Sequence, residues 1–306
     1  MAPVRQVGEW LLGDRIGQGG NGSVYLAHST RTGSPAAVKE FLVTRPEAGL
    51  TEQFRHEARL LSKLIHPNIV GLIDVIDGDA GGYLVLEYVP GETLRDRLVR
   101  ARLSTDEGLL VLEGLLRALE YAHRRSVVHL DVKPENVLMA ATGEIKITDF
   151  GIARWSRRAT SVPTDTTLGT PQYISPEQAT GAGVDARSDI YSAGVVAYEI
   201  FCGRPPFPIG KGGDPAAVAA RHVQVEPEPP RSLRPDIDEE LADLILKALA
   251  KAPANRHQSA GEFLLRLEPI RSRLAPGQLG LLSGRRGGSH PPEGWLAKLL
   301  AAAQGG

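Results

Sequence analysis

The sequence has little of what marks secreted, membrane-spanning or nucleic-acid-binding proteins. Its only cysteine, Cys202, cannot form an internal disulfide, and no Cys/His cluster has zinc-ligand spacing, so a reducing cytoplasm is the expected compartment. Residues 1–9 lack the apolar core of a signal peptide, and no run of about 18 apolar residues occurs, so we expect no membrane span. The 35 lysines and arginines nearly balance the 36 aspartates and glutamates, so no nucleic-acid partner is expected.

What the chain does have is enough apolar material for a large core, since 42% of its 306 residues are hydrophobic. Over 10–41, short runs of alternating apolar and polar residues are broken by turn residues at 17–22 and 30–34, which predicts antiparallel strands. Beyond about residue 88 the apolar spacing is mainly helical. These patterns predict an α+β fold, with a small part of strands plus one helix followed by a larger helical part.

The one helix predicted within the first part spans 54–65. Its apolar face is formed by Phe54, Ala58, Leu61, Leu64 and Ile65. Glu57 falls inside this apolar arc, and a carboxylate that faces a core is costly unless a cation meets it. The helix therefore predicts a lysine or arginine partner, and Lys39 on a predicted strand is the candidate.

Capping residues mark helices in the second part. The pattern S-x-x-E at 104–107 opens a helix that is predicted to run to about residue 123, and the same pattern at 259–262 opens one to residue 267. Residues 189–202 are apolar nearly all round, which predicts a buried helix that ends at Gly203.

A predicted hairpin, with strands at 137–139 and 145–147, separates two polar side chains. Asn136 precedes the first strand and Asp149 follows the second, so antiparallel pairing would bring them together. Residues 127–128 are predicted to form a further short strand.

Residues 275–294 are rich in Gly, Pro, Ser and Arg and have too little apolar surface to offset the entropy of ordering. We interpret 275–306 as a tail that follows a domain of residues 1–274. Its last apolar residues, Trp295, Leu296, Leu299 and Leu300, are spaced for a short helix. A frayed terminus and a segment that docks on a partner or on the domain itself are the two interpretations.

The residues that carry chemistry cluster in HLDVKPEN at 129–136 and in DFG at 149–151. Asp131 supplies a carboxylate that can orient a hydroxyl, and Asn136 and Asp149 supply two oxygen ligands for magnesium. Phosphoryl transfer from ATP requires these groups. One of them alone would most often be an ordinary turn residue, but the whole set in this order favours catalysis.

The sequence GQGGNG at 17–22 fits the pattern G-x-G-x-x-G, which dinucleotide-binding folds also carry. In those folds a helix follows the glycines, whereas the pattern over 23–27 predicts a strand. Gly17, Gly19 and Gly22 in a hairpin loop would let backbone amides approach phosphate oxygens without obstruction by a Cβ atom. For this motif alone, a flexible hairpin turn is an equal alternative.

Together with GTPQYISPE at 169–177, these motifs resemble the protein kinase family, in particular bacterial eukaryotic-like (Hanks-type) serine/threonine kinases. The resemblance covers about 10–267. It implies a two-lobed fold, with an N-lobe of about 10–87, a C-lobe of about 88–274 and ATP bound between them. It also implies ATP-dependent phosphorylation of serine and threonine hydroxyls on proteins, with Mg²⁺, or alternatively Mn²⁺, as the metal ion.

The resemblance assigns roles residue by residue. Asp131 is expected to accept the proton of the substrate hydroxyl and Lys133 to stabilise the transferred phosphoryl group, while Asn136 and Asp149 would hold metal ions. Lys39 would hold the α and β phosphates of ATP and pair with Glu57. Nucleotide binding is further assigned to Gly17, Gly19, Gly22, Val24, Ala37, Glu87, Val89 and Leu138, of which Glu87 and Val89 belong to the adenine-binding hinge. By the same resemblance, Glu177 and Arg256 are expected to form a buried ion pair.

One departure from the family pattern concerns regulation. Leu130 stands where most members have an arginine that neutralises a phosphate on the activation loop, and leucine cannot do this. We therefore hypothesise an activity that depends less on loop phosphate than in arginine-bearing relatives. Separately, the loop is crowded with hydroxyls, and we expect autophosphorylation there, with Thr164 and Thr166 as first candidates. A homodimer would allow one copy to modify the other. The alternative is that Leu130 only packs against the core.

Two other functions stay open at this stage. An ATP-binding pseudokinase scaffold would lack a catalytic group, whereas every expected group is present here. A kinase of small molecules such as choline or aminoglycosides would share the aspartates but lack the segment at 169–177. Among protein substrates, Glu135 lies where some family members bind a basic residue, although many use the same glutamate otherwise.

Overall fold

The computed structural model describes residues 5–19, 22–42, 58, 60–78, 81–150, 171–210 and 212–274. These residues form two compact units. The first contains the described residues up to Ile65 together with Val70–Pro90, and the second contains His66–Ile69 and the described residues from Gly91 onward. No helix in these ranges is both long enough and apolar enough to cross a membrane.

The first unit is built on a six-stranded sheet in which every neighbouring pair is antiparallel, with strand order β1-β2-β3-β4-β6-β5. The strands are β1 Arg5–Val7, β2 Trp10–Gly19, β3 Gly22–Ser29, β4 Pro35–Leu42, β5 Leu72–Gly78 and β6 Gly81–Glu87. Alternating apolar residues bury one face of this sheet. The core on that face consists of Val7, Trp10, Leu12, Ala27, Ala36, Val38 and Val85.

Strand β4 divides its side chains between the two faces of the sheet. Val38 belongs to the core just described, so its neighbours Ala37 and Lys39 lie on the opposite face. Directly paired residues share a face, and Lys39 is paired with Val24 on β3 and with Leu84 on β6. Val24, Ala37 and Lys39 therefore line one surface.

The helix predicted over 54–65 lies mostly outside the described residues, and so does Glu57. At its described end the Ser62 amide donates to the Ala58 carbonyl at 3.0 Å, and Ala58 is buried as predicted. The placement of Ile65 on the same apolar face is wrong. Its side chain is 82% exposed because the helix gives way to a turn at 62–63.

The second unit is mainly helical. Its α-helices are α1 Leu94–Arg100, α2 Thr105–His123, α3 Pro176–Thr180, α4 Ala186–Cys202, α5 Pro215–Gln224, α6 Pro230–Leu233, α7 Glu239–Ala248 and α8 Ala260–Leu274. Helix α4 packs against both α2 and α7, and all its residues from Ser188 to its end are buried. Gly203 ends it in the left-handed conformation, with φ 81°, as its sequence predicted.

The predicted capping box opens α2. The Ser104 hydroxyl accepts from the Glu107 amide at 3.2 Å, and the Glu107 carboxylate accepts from the Ser104 amide at 2.8 Å. At α8 the cap is only partly as predicted, because the carboxylate of Glu262 accepts from the Gln258 amide rather than from Ser259.

The predicted end of α8 at residue 267 is wrong, since the helix continues to Leu274 through Pro269. Its last turns are held by tertiary contacts, which outweigh the cost of an internal proline. Ile270 is buried, and Arg271 forms an ion pair with Glu113 of α2.

A second, three-stranded sheet contains the predicted hairpin. Strands β8 Val137–Ala140 and β9 Ile145–Ile147 are paired, and β7 Gly91–Thr93 lies alongside β8. The strand predicted at 127–128 is wrong. Val127 is buried, but its amide donates to the Ala122 carbonyl at the end of α2 (3.0 Å) and joins no sheet.

Candidate active site

The turn that carries Asp131 holds its carboxylate in one orientation. Lys133 Nζ lies 2.7 Å from Asp131 Oδ2, and Asn136 Nδ2 lies 3.1 Å from the same oxygen and 2.9 Å from the Asp131 carbonyl. These donors are close because Pro134–Asn136 forms one turn of 3₁₀-helix, whose first residue is a proline with a fixed φ. The Asp131 side chain is still 37% exposed, so a hydroxyl can reach it.

The hairpin brings Asn136 and Asp149 together at one end, as predicted. Val137 is paired with Ile147, and the Thr148 amide donates to the Asn136 carbonyl at 3.0 Å. Asp149 follows directly and has a left-handed backbone, with φ 55°. A side chain in this conformation costs roughly 1–2 kcal/mol, so its surroundings must hold it there.

The turn is anchored by Asp189 of α4, which sequence reasoning missed. Asp189 is fully buried, and its carboxylate accepts from the His129 and Leu130 amides, both at 2.7 Å. His123 Nε2 lies 2.8 Å from the same carboxylate. The sequence did contain a signal for Asp189, which lies in a helix that is apolar nearly all round. A carboxylate in such a helix must meet buried hydrogen-bond donors, for the same reason that Glu57 predicts a cationic partner.

Leu130 also has a left-handed backbone, with φ 60°. Its amide is bound by Asp189, and its carbonyl accepts from Gln178 Nε2 at 2.9 Å. These two hydrogen bonds offset the cost of the strained backbone next to Asp131.

His129 joins this turn to the segment that carries Asp149. Its Nε2 lies 3.1 Å from the Thr148 carbonyl, and its Nδ1 accepts from the Asp131 amide at 3.3 Å. Only the neutral imidazole with its proton on Nε2 satisfies both contacts. The ring also packs against Phe150, with centroids 4.5 Å apart.

The expected ion pair between Glu177 and Arg256 is present and buried. Two hydrogen bonds of 2.8 and 2.9 Å join the groups, and the Ser188 hydroxyl donates to Glu177 at 2.6 Å. Burial alone would raise the pKa of Glu177, but these donors lower it below its ordinary value of 4.5. The pair anchors the start of α3.

The glycine-rich segment is a β-hairpin, because β3 follows it and Gly19 is paired with Gly22; residues 20–21 lie outside the described ranges. The fold itself requires Gly22, which has φ 145° and whose added Cβ would lie 1.7 Å from the Glu40 carbonyl oxygen. At Gly17 an added Cβ would make an ordinary contact of 3.5 Å with Val24. The fold alone therefore does not require glycine at 17.

Lys39 lies on the same sheet face as Val24 and Ala37, which the sequence also assigned to nucleotide binding. Its ammonium lies 5.0 Å from the centre of the Phe41 ring, a cation–π contact. Its predicted partner Glu57 is outside the described residues, so that pairing stays a prediction.

Glu87 is the last residue of β6, and Val89 lies two residues beyond it. The Glu87 carboxylate accepts from the Gly71 amide at 3.2 Å, so it fixes the course of the chain before β5. Leu138 belongs to the second unit, on β8, where it is paired with Thr93 and Lys146.

Residues 10–264 match the family model described as "Protein kinase domain". The chain belongs to the protein kinase family. This kinase is 43% identical over 274 residues to a probable serine/threonine-protein kinase of Streptomyces coelicolor, covering 87% of this chain and 40% of that protein. It is 40% identical to serine/threonine-protein kinase PknB of Mycobacterium leprae, covering 87% of this chain and 43% of that one. The kinase thus spans about 40% of the length of these curated relatives.

Among solved structures, the kinase is similar to the Mycobacterium tuberculosis PknI kinase domain. The TM-score is 0.70 at 26% identity, with 90% of this chain and 99% of that chain covered. Together with the antiparallel sheet of the first unit and the helices of the second, this confirms the predicted α+β protein kinase fold. The predicted enzyme class, a bacterial-type serine/threonine protein kinase, is confirmed at the level of the family.

Protein kinases use ATP and a divalent metal ion, and the residues of this kinase fit such an ion. Asn136 uses its amide nitrogen on Asp131, which leaves its amide oxygen for a cation, and Asp149 adds a carboxylate. Within the described ranges, no group of three or more His, Cys, Asp or Glu could hold a metal by itself. Two oxygen ligands suit Mg²⁺, which keeps water and phosphate in its shell.

Proposed function

We propose that this kinase transfers the γ-phosphoryl group of ATP to serine and threonine hydroxyls of proteins. The observation that carries the proposal is the single turn in which Lys133 and Asn136 both bind the carboxylate of Asp131. A partly exposed carboxylate that is fixed in this way can align one hydroxyl, and phosphoryl transfer depends mainly on such positioning. The names of the relatives, serine/threonine-protein kinases, support the choice of acceptor.

The proposed roles are those that the family resemblance implies, and the geometry of the turn supports them. ATP and its divalent ion supply the transferable group and neutralise its charge when they are bound. Asp131 orients the acceptor hydroxyl and takes its proton. Lys133, which contacts Asp131, stabilises the transferred phosphoryl group, on which negative charge spreads during the reaction. Asn136 and Asp149 would hold Mg²⁺, with Mn²⁺ as the alternative.

For the nucleotide, we propose that Lys39 and the backbone of the glycine-rich hairpin bind the phosphates of ATP. Lys39 pairs with Glu57 in this proposal. Adenine is held by the backbone of Glu87 and Val89 and by the side chains of Val24, Ala37 and Leu138. Gly17 supports these assignments because the fold leaves room there for a side chain and the sequence has none.

Incubation with γ-labelled ATP and a general acceptor protein such as casein tests the proposal. We expect Mg²⁺-dependent label on serine and threonine after acid hydrolysis of the product, and none with EDTA. Asp149→Asn should lose most of this transfer, whereas Asp185→Asn, at an exposed helix cap, should keep it. Label on a small molecule only, or no label from folded protein, would overturn the proposal.

We also propose that the kinase domain corresponds to 1–274, with lobes of about 10–87 and 88–274, and that 275–306 is a tail. The end of α8 at Leu274 supports this boundary. A chain of residues 1–274 should keep the transfer rate and the unfolding midpoint of the full chain. A loss of either would show that residues beyond 274 belong to the domain.

Finally, we propose that the kinase autophosphorylates, in a homodimer that brings two copies together, but needs loop phosphate less than arginine-bearing relatives do. The strained Leu130, whose backbone is bound by Asp189 and Gln178, supports this, because the turn is held without a phosphate. The candidate sites Thr164 and Thr166 lie outside the described residues. Phosphatase-treated and autophosphorylated enzyme should have similar turnover, and a large activation by phosphate would defeat the idea.

A further inference from the structure

A charged cluster in the second unit lies beside the catalytic turn and has no part in the mechanism above. Arg95 of α1 lies between two carboxylates, with Nε 3.0 Å from Glu135 and Nη1 2.8 Å from Glu199. Its Nη2 donates to the Tyr173 hydroxyl, which donates to the other oxygen of Glu199 at 2.5 Å. One guanidinium thus binds acceptors on three other segments of the chain.

The cluster is close to the position of the acceptor hydroxyl. Glu135 lies two residues beyond Lys133 and belongs to the same 3₁₀ turn as Asn136. The Cα atoms of Asp131 and Glu135 are four peptide units apart, so they are separated by at most about 14 Å. A peptide whose hydroxyl meets Asp131 can therefore reach this cluster with a side chain about two to four residues away.

The groups of the cluster match a guanidinium ligand. Two carboxylates and one hydroxyl surround the planar donor set of Arg95, which is the geometry that arginine recognises best. Burial disfavours the charge of Arg95, but the neighbouring Tyr173 and Glu199 raise the pKa of the guanidinium overall. Burial and Glu199 raise the pKa of Tyr173, so it stays a neutral hydroxyl.

The cluster is partly exposed to solvent. The side chains of Arg95 and Glu135 are 26% and 40% exposed, whereas Glu199 is 7% exposed. One oxygen of Glu135, Oε2, is buried without a hydrogen-bond partner among the described residues. Removal of Arg95 would therefore leave two carboxylates, one of them partly exposed, with unsatisfied hydrogen-bond acceptors.

We propose that Arg95 fills, from within the chain, a cation-binding subsite next to the acceptor position, so that this kinase selects substrates without a basic residue there. The proposal rests on the proposed kinase function. Without Arg95, the carboxylates of Glu135 and Glu199 would form an acidic pocket open to an arginine of the substrate. With Arg95 in place, one of the two negative charges is neutralised. The position that a guanidinium of the substrate would take is then already occupied.

The test uses a peptide library with a central serine or threonine, in which each of the four positions on either side is fixed in turn as Arg or Ala. For the wild type, Arg and Ala should give rates within about threefold at every position. Arg95→Ala should gain about tenfold for Arg at one position, and the added change Glu135→Gln should remove that gain. Arg100→Ala is the matched control, because Arg100 lies on the same helix and, within the described part of the chain, forms an ion pair only with Glu92 at the surface. It should behave like the wild type.

Several results would overturn the proposal. The proposal is overturned if the wild type itself favours Arg over Ala by tenfold or more at any position. A folded, active Arg95→Ala enzyme with unchanged preference would assign Arg95 a structural role only, because loss of a structural contact slows all peptides alike. If Arg95→Ala does not fold, Arg95→Lys serves instead, since an ammonium cannot bridge both carboxylates, and it should acquire a smaller preference of the same sign.

A binding measurement separates this proposal from the kinase function. N-ethylguanidine should raise the unfolding midpoint of Arg95→Ala but leave those of the wild type and Arg100→Ala unchanged. If no variant transfers phosphate but this shift is seen, the proposed function fails and the subsite stands. If phosphate is transferred but neither the shift nor the new preference appears, only the subsite proposal fails.

Discussion

Single residues at the site are held by buried hydrogen-bond partners that lie far away in the sequence. Leu130 and Asp149 both have left-handed backbones, which are costly for side chains other than glycine. Asp189 stabilises the first of these by accepting from two successive amides, and the hairpin and His129 fix the chain before the second. The strain thus lies next to Asp131 and at the predicted metal ligand Asp149, and it is offset by contacts with helix α4 and the hairpin.

The change Asp189→Asn tests this anchoring. An amide can accept on one oxygen only, so at least one buried backbone amide loses its partner and the free energy of unfolding should fall by roughly 3 kcal/mol. Phosphate transfer should fall with it. Urea unfolding followed by circular dichroism measures the first effect, and Asp185→Asn, an exposed cap on the same helix, is the control. Equal midpoints for the two variants would show that Asp189 anchors nothing.

The ion pair of Glu177 makes stability depend on pH. Its pKa is lower in the folded chain than the ordinary 4.5, so the stabilisation is fully present above that value and is lost as pH falls through the folded pKa. Glu177→Gln should cost roughly 3 kcal/mol near neutral pH. The difference from the wild type should shrink progressively in more acidic buffer.

Urea unfolding at a series of pH values measures this difference. Glu239→Gln, at a carboxylate that is 76% exposed, is the control and should change stability little at any pH. A Glu177→Gln difference that stayed constant down to acid pH would contradict the assigned pKa direction.

At the scale of elements, two glycines of the β2–β3 hairpin have different roles. The fold requires Gly22, whereas Gly17 is proposed to make room for the nucleotide. Gly22→Ala forces a Cβ against the Glu40 carbonyl and should cost roughly 1–3 kcal/mol of stability. Gly17→Ala fits sterically, so it should leave the urea midpoint nearly unchanged but raise KM for ATP. Steady-state kinetics and urea unfolding of both variants measure the two effects. A stable Gly22→Ala, or a Gly17→Ala with normal KM, would reverse these assignments.

Elements with strong local signals could be predicted from the sequence, and those that depend on partners could not. The cap at Ser104 and the glycine at 203 fix helix ends locally, so both were predicted correctly. The strand predicted at 127–128 failed because apolar character alone does not supply a pairing partner. The end of α8 was predicted too early because Arg271 and Ile270 hold the last turns through contacts with the rest of the unit.

For the whole molecule, the order of motifs along the chain predicted the family, and family membership predicted the site. The contacts of Asp189 and of Arg95 were not predicted, because they join distant segments of the chain. Asp189 lies 60 residues after His129, and Glu199 lies 104 residues after Arg95. Only the folded second unit brings these side chains together. A buried charge in an apolar helix signals that a partner exists, but it does not say which residue it is.

The most direct measurement is the rate at which Asp131→Asn transfers phosphate from labelled ATP to an acceptor protein, relative to the wild type. If Asp131 aligns the hydroxyl and takes its proton, the rate should fall by about 10² to 10⁴-fold, and Mg²⁺-ATP should still raise the unfolding midpoint as it does for the wild type. An Asp131→Asn enzyme that binds ATP and transfers phosphate within about tenfold of the wild-type rate would contradict the proposed mechanism.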